Sequence, residues 1–425
     1  MGSFADMTSC PRWRELDGGQ RKEYWAALAL RHCRGLGARS CFRLARAYGS
    51  AHAAVRRCGE WESIGLRPQL GATLRSDAWR APAREEWDAA ARLNPGILLW
   101  TDPRYPPLLR TLPDAPLFLY CEGDASLLRS PCFAIVGARR AGDQGRAIAA
   151  HMARALAAGG IAVVSGMAQG IDAAVHDSAL RHVGRSIGVL GTGVDVAYPA
   201  SNRGLFDRMR RDGLLLSEFA PGSRPRPNNF PVRNRIISGL SLGVLVVEAA
   251  ARSGSLITAR LALEQNRDVY AVPGAPLDSH AAGTHNLIRQ GAHAVFDAED
   301  ILRDLAPRLR EHGFSPLRPQ AAEEARRAPS PAPSVPEANA ADGLPPATPD
   351  TLPEDIRRAL PGIAGGASGE GARILEILRR HGPLQADDLA TAAALESAAL
   401  SPALISLELL GQVRRLPGAR YEALA

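Results

Sequence analysis

Residues 133–170 constrain this chain more than any other stretch. They read FAIVGARRAGDQG, then an alanine-rich segment with helical spacing, then IAVVSGMAQG. An apolar run from Phe133 to Val136 breaks at Gly137, Arg139 and Arg140, passes Gly142 and Gly145 and continues as a helix. A second apolar run then ends in Ser165-Gly166. A strand, a glycine-rich turn, a helix and a strand of this length make one βαβ unit. A right-handed crossover is expected, which puts both turns at the carboxyl ends of parallel strands, where open α/β sheets receive ligands. Helix N-termini offer unpaired N–H groups there, glycines let the backbone approach, and an arginine adds a bidentate charged contact. Phosphate is therefore the expected guest. This stretch alone leaves open whether it belongs to a free nucleotide or to a polymer.

The same alternation continues downstream. SIGVLG (186–191), LLLSEFA (214–220), GVLVVE (243–248) and DVYAVPG (268–274) are apolar runs separated by helical segments. Runs this uniformly apolar suit strands covered on both faces, so residues 85–305 read as a doubly wound α/β domain with a mostly parallel sheet. ILLWTD and LFLYCEG, which precede the run at 133, add strands before the main sheet and extend the domain on its N-terminal side. At 425 residues and 46% hydrophobic content the chain has room for two or three domains with real cores.

The flanks differ in kind. Residues 1–20 are polar and glycine-rich and are expected to be a flexible tail. Residues 21–84 are helical and short-looped. Arg34-Gly35-Leu36-Gly37-Ala38-Arg39 sits between two helices in the manner of a helix-hairpin-helix, whose backbone N–H groups can meet a DNA phosphate. An ordinary glycine-capped turn is the alternative. Residues 306–371 turn to Pro, Ala, Glu, Ser and Gly, a composition that buries too little apolar area to offset ordering, so a disordered linker is expected. Residues 372–425 return to helical periodicity and end in VRRLPGARYEAL, a two-stranded wing that makes a winged helix. Its third helix carries Glu408 and no Arg or Lys, which argues against base-specific duplex reading and makes a protein contact at least an equal alternative.

Charge narrows the guest. The formal balance is +7, and Lys22 is the only lysine. Between Pro221 and Arg260 six arginines, among them Arg224, Arg233 and Arg235, face one acid, Glu248, a local surplus of five. The segment also holds Phe230, which can stack on a base or pack in the core, and the amides Asn228, Asn229 and Asn234. Ser253-Gly254-Ser255 opens a helix and makes an anion cradle, or simply caps it. Four turns are predicted to converge on one face: Gly137 to Arg140, Ser165 to Asp172 with Gly166 and Gly170, the arginine-rich stretch, and the turn after Glu248.

Other chemistries are harder to place. There is no G-x-G-x-x-G with a following ribose-binding acid, and no P-loop. Asp172 and His176 lie four apart without a third metal ligand, which favours a capping Asp beside a packed His. No nucleophile, base and orienter set emerges, so neither a metal, a cofactor nor an enzymatic role is expected. Cysteines 10, 33, 41, 58, 121 and 132 form no regular framework and read as reduced thiols of a cytoplasmic protein. No apolar leader and no run of about 18 apolar residues argues for secretion or membrane spanning.

IVGARRAGDQG, SGMAQGIDAAVH, GTGVDVAYPASN, FPVRNRIISGLS, VVEAAARSGSLITARLALEQNRDVYAVPG and GTHNLIRQGA resemble, in order, the motifs of the DNA-processing protein A (DprA/Smf) family. The resemblance covers about residues 133–302. It implies an extended Rossmann-like domain flanked by a small SAM- or helix-hairpin-helix-like domain and a winged helix. It also implies a cytoplasmic protein that binds single-stranded DNA, forms homodimers and loads the recombinase RecA in natural transformation. Carried onto this chain, the DNA contacts are Gly137 and Arg139 of G-x-R, Phe230, Arg233, Asn234 and Arg235 of F-P-x-R-N-R, and Ser253, Gly254 and Ser255. Arg203 stands near the place of a family lysine. The segment from Thr284 to Gly291, with His285, Leu287 and Ile288, falls where the dimer and RecA surface is expected. Two other readings stand beside this one. A Rossmann-like nucleotide phosphoribohydrolase would need P-G-G-x-G-T-x-x-E, which GTGVD and VPGAP do not supply. A protein-interaction adaptor would work through the winged helix.

Overall fold

The computed structural model describes residues 9–182, 185–311 and 370–393, with 395, 400, 403, 404, 407, 412–416 and 420–424. The chain divides into two compact units, residues 1–330 and 331–425. In the first, a nine-stranded sheet is built from β1 (Gly96–Leu99), β2 (Phe118–Gly123), β3 (Cys132–Val136), β4 (Ala162–Ser165), β5 (Ser186–Leu190), β6 (Leu214–Ser217), β7 (Gly243–Val246), β8 (Asp268–Ala271) and β9 (His293–Ala294). Their spatial order is β1-β2-β6-β5-β4-β3-β7-β8-β9. From β6 to β9 all neighbours are parallel, whereas β2 is antiparallel to both β1 and β6.

The helices of this unit are α1 (Gly18–His32), α2 (Ala38–Tyr48), α3 (Ala51–Arg56), α4 (Pro68–Arg75), α5 (Arg80–Leu93), α6 (Pro107–Arg110), α7 (Asp143–Ala158), α8 (Ile171–His182), α9 (Arg203–Asp212), α10 (Asn229–Leu240), α11 (Ser255–Glu264), α12 (Ala282–Arg289) and α13 (Ala298–Glu311). Alternation along β3 sorts them. Phe133 and Ile135 point into a core with Met152 and Leu156 of α7 and Val175 of α8. Ala134 and Val136 point the other way, against Ile236 and Leu240 of α10 and Ala259 of α11.

β3 is the pivot of the sheet. Ala134 pairs in register with Val164 on β4 and with Val244 on β7. The chain moves outward from β3 through β4, β5 and β6, then returns to its other side for β7, β8 and β9. The turns after β3 and β7 therefore diverge and open a crevice at the carboxyl ends, the switch point of a doubly wound sheet.

Three expected boundaries move. Residues 9–20 do not form a loose tail: Cys10 is buried, Arg12 bridges to Gly96 and its Nη1 lies 2.8 Å from Glu122, and Asp17 with Gln20 makes a capping box for α1. The polar composition hid a local D-x-x-Q signal that ties this segment to the sheet edge. A helical domain ending at residue 84 is cut by α5, which runs on to Leu93. Leu28, Leu44 and Trp61 share one buried cluster with Phe118 and Tyr120 of β2 and Leu215 of β6, so the helical layer is part of the sheet's own core. The expected linker start at 306 falls inside α13, where Leu305 and Leu309 complete a buried stripe around Pro307. The rest of that linker, 312–369, lies outside the described residues.

A polar network joins the helical layer to the sheet. The Tyr24 and Tyr120 hydroxyls are 2.7 Å apart, and Tyr120 donates to Glu86 Oε1 at 2.7 Å. Arg31 Nη1 lies 2.6 Å from Glu86 Oε1 and His32 Nε2 lies 2.7 Å from Oε2. Burial would raise the Glu86 carboxyl, but Arg31 and the His32 and Tyr120 bonds outweigh it and hold it below the usual range.

The second unit packs α14 (Glu370–His381) and α15 (Ala386–Ala393) with a three-stranded sheet of β10 (Leu384–Gln385), β11 (Val413–Leu416) and β12 (Arg420–Ala423). β11 and β12 are the expected wing, and β10 adds a strand on the far side of β12. Ile374, Leu375, Leu378 and Leu389 form its core with Leu404 and Leu407. Glu408 of the expected third helix lies outside the described residues.

Candidate nucleic-acid interface

A cavity of about 770 Å³ opens at the switch point. Its walls are the turn after β3, the segment before α10 with that helix's first turn, and the turn from β7 into α11. Arg139, Phe230, Asn234, Ser253 and Thr258 line it. Helical spacing explains the α10 contribution: positions 230, 233 and 234 share a face, whereas 235 points away.

Aromatic and cationic groups meet on one wall. The Arg139 guanidinium carbon sits 5.0 Å from the centroid of the Phe230 ring, and the Tyr198 ring is 5.6 Å from it. The opposite side of Phe230 rests on Gly191, where an added Cβ would lie 2.8 Å from the ring. Phe230 is half-buried, with the exposed Arg139 guanidinium over its ring. At α11 the Ser253 and Ser255 hydroxyls are 2.7 Å apart, and no side chain caps the helix from Gly254. The Ser255 N–H donates to Ser253 Oγ at 3.4 Å and the Leu256 and Ile257 N–H groups donate to the Ser253 and Gly254 carbonyls at 3.2 Å, so this end of α11 offers its dipole and two serine hydroxyls to a cavity that Arg140, Arg226 and Arg252 also line.

The other two predicted phosphate turns are filled by the protein's own carboxylates. Glu248 reaches back from the end of β7 and accepts from the Gly142 N–H at 3.2 and 3.3 Å, at the start of α7. A Cβ at Gly145 would overlap that carboxylate. His280 Nδ1 lies 3.3 Å from it on the other side. In the second turn Asp172 Oδ2 accepts from the Gly166 and Ala168 N–H groups at 3.1 and 3.3 Å. A pyrophosphate would have to displace an internal anion from the N-terminus of α7, so the turn after β3 is not a ready dinucleotide site.

Several motif residues serve the scaffold. Arg233 is 4% exposed and donates from Nη1 to Gly166 O at 2.6 Å and to Val189 O. Burial, opposed by Asp172 and reinforced by Arg139, pushes its guanidinium down to about 10. Arg235 is 7% exposed and turned away from the cavity, bonded to Glu218 at 2.7 Å with Asp114 at 3.7 Å. It is an internal ion pair, not a DNA contact in this geometry. Gly166 is buried against Arg233 and Asp172, and Gly170, at φ +76°, lets its turn touch the Ala138 and Arg139 carbonyls. A Cβ at Gly137 would lie 2.6 Å from Ile171. Arg203 and Arg224 are exposed but do not line the cavity, and Arg260 faces Glu264 at 3.7 Å. Leu287 is 8% exposed and belongs to the core, whereas His285 and Ile288 are partly exposed, His285 Nε2 lying 3.0 Å from Gly274 O. Arg140, Arg226 and Arg252 lay within the predicted turns without being assigned a contact, and Tyr198 and His280 were missed. The first three stood beside chosen residues, but nothing marked Tyr198 or His280 before the loops were folded together.

His176 is packed, as its spacing with Asp172 suggested. It is fully buried, with Nε2 3.3 Å from the Met167 N–H and Nδ1 2.7 Å from Ser186 Oγ. Burial, then Arg233, pushes the imidazole down to about 3, so it is neutral in the native state. The unfolded ring titrates near 6.5, so below that pH the unfolded chain takes up a proton that the native chain refuses. Stability is full above pH 6.5 and is lost as the pH falls toward 3. Between pH 6.5 and 4.5 the loss amounts to about 2.5 kcal/mol. Asp172, raised chiefly by burial, works in the opposite direction, so the contribution is read as a difference. Urea denaturation at both pH values should show the wild type losing that much more than His176→Gln, and equal losses would refute the assignment.

A doubly wound sheet with an arginine- and serine-lined cleft at its switch point, where the N-terminus of α7 is closed by an internal acid, defines a Rossmann-like α/β protein with a cationic cleft. Residues 96–306 match the family model for DNA recombination-mediator protein A, and residues 345–419 that for the DprA winged helix domain. The chain is 38% identical over 335 residues to Protein Smf of Synechocystis, covering 77% of this chain and 80% of that protein. It is 45% identical over 203 residues to the DNA processing protein DprA of Streptococcus pneumoniae, across 48% of this chain and 72% of that one. The X-ray structure of the S. pneumoniae protein superposes with a TM-score of 0.58 at 36% identity, covering 66% of this chain and 97% of that chain. The chain belongs to the DNA recombination-mediator protein A (DprA/Smf) family.

Proposed function

We propose that this chain is a non-enzymatic mediator that grips single-stranded DNA in the switch-point cavity and hands it to the recombinase RecA during transformation and recombination. The observation that carries the reading is the division of labour among the turns: α7 is closed by Glu248, while among the described residues no carboxylate reaches the serine-lined N-terminus of α11, which shares the cavity with Arg139 and Phe230. Successive phosphates are held by serine hydroxyls and guanidiniums, and a base stacks on the Arg139–Phe230 pair, with little reading of sequence. A cytoplasmic homodimer is part of the proposal. His285 and Ile288 of α12 lie in the part of the chain that also exposes Leu277 and Phe296, near the short edge strand β9, and this supports a contact surface there. Among the described residues no helix is long and apolar enough to cross a membrane.

The test is titration of the full chain with labelled single-stranded and duplex oligonucleotides across a salt series. Short single strands should bind more tightly than duplex of the same length. Their log–log salt slope should be about −2 to −3, as three to four neutralised phosphates require. Equal affinity for both forms, or binding indifferent to salt, would refute the reading.

A further inference from the structure

The densest uncompensated charge on this protein lies away from the cavity, on the helical layer. Between Arg34 and Arg75 eight arginines face two acids, Glu60 and Glu62, a surplus of six. All eight are exposed, and among the described residues none has a carboxylate within salt-bridge distance. Four of the flanking arginines, Arg12, Arg31, Arg80 and Arg84, instead pair with an acid at 2.6 to 3.1 Å.

Geometry collects this charge. Arg39, Arg43 and Arg46 recur at helical spacing along one stripe of α2, opposite its buried face of Cys41, Phe42, Leu44 and Ala45. Arg43 Nη2 donates to Gly65 O at 3.3 Å, which sets the stripe beside the turn leading to Arg67 and α4. The hairpin before α2 leans on the same helix, since a Cβ at Gly35 would lie 3.1 Å from Leu70. Arg34 on the hairpin and Arg67 at the start of α4 therefore flank the stripe. α2 begins at Gly37 with no side-chain cap, so its first N–H groups add donors at the Arg34–Arg39 end.

We propose that this face is a second nucleic-acid site, one that holds the phosphodiester backbone, duplex included, without reading bases. Among the described residues the exposed large hydrophobic side chains lie elsewhere, at Tyr198, Val232, Leu263, Leu277 and Phe296, and Tyr48, whose ring centroid is 5.8 Å from the Arg57 guanidinium carbon, is half-buried. The face thus lacks both the apolar anchor of a protein interface and the aromatic platform of a base-stacking site. What remains is a convex row of guanidiniums with open backbone donors, which suits a continuous row of phosphates. A rigid duplex cannot enter the switch-point cavity, so the two sites separate by substrate.

The test uses the full chain and two probes, a blunt duplex of about 30 base pairs and an oligo(dT) of about six nucleotides. In R39Q/R43Q/R46Q duplex affinity at low salt should fall about tenfold or more, and the log–log salt slope should shrink by about 2.5, for three lost phosphate contacts. Oligo(dT) binding should be unchanged. Arg139→Ala should give the converse, weakening oligo(dT) and sparing duplex. The lysine set R39K/R43K/R46K should retain most duplex binding, which separates lost charge from lost folding. Duplex binding by the glutamine set with wild-type affinity and slope would overturn the proposal and leave an acidic protein as the partner of this face. Equal loss of both probes would overturn it too, by merging the face with the cavity.

Discussion

Replacing Arg139 with alanine should weaken binding of a short single-stranded oligonucleotide by about 10- to 100-fold at low salt, the range of one lost charge-assisted contact. Arg139 is exposed, sits at the carboxyl end of β3, and its guanidinium lies over the Phe230 ring at 5.0 Å. Its removal takes away a phosphate ligand and the cationic half of the stacking platform together. The log–log salt slope should also fall by about 0.7, for one single-strand phosphate contact. Because Arg139 makes no ion pair among the described residues, thermal stability should stay within about 0.5 kcal/mol of wild type. Fluorescence anisotropy beside a melting curve separates the two readouts. A variant that melts normally and binds normally would remove Arg139 from the site.

Replacing Glu86 with alanine should produce the largest loss of stability, about 3 kcal/mol, the lower end of the range for breaking a buried ion pair because Arg31 keeps partial access to water. The change strands Arg31 and His32 and removes the acceptor of the Tyr120 hydroxyl, in a network that spans α1, α5 and β2. Since the helical layer and the sheet share one core, the loss should appear as a single earlier transition in urea. Two transitions, with the sheet's own midpoint unmoved, would instead make residues 21–84 an independent domain.

The parts of the fold that were legible before folding are those whose signal is local. Uniform apolar runs such as FAIV and IAVVS marked strands buried on both faces, and the glycines after them marked turns that approach other backbone closely. Arg139, Phe230 and Asn234 could be placed together because their motifs follow strands whose carboxyl ends share a face. The residues whose surroundings the sequence left open are those whose role depends on where a side chain turns. Arg233 and Arg235 are two positions apart on α10, yet one braces the Gly166 and Val189 carbonyls and the other enters an ion pair with Glu218 on the far side. No spacing rule separates a guanidinium that meets solvent from one that meets an internal carbonyl. Glu248 is a further case: in the sequence it is a single acid in a basic segment, and only the adjacency of β3 and β7 brings it to the Gly142 N–H.

The sequence by itself determined the doubly wound class, the turns that carry the chemistry and the net positive field, because these follow from periodicity, glycine placement and composition. The tertiary structure decided which turn remains free to take a phosphate. That choice depends on burial and on contacts between segments about a hundred residues apart in the chain, where Glu248 closes α7 while, among the described residues, no carboxylate reaches the N-terminus of α11. A carboxylate inside the fold satisfies a helix N-terminus as well as a ligand does, so only the folded arrangement distinguishes an occupied anion site from a vacant one.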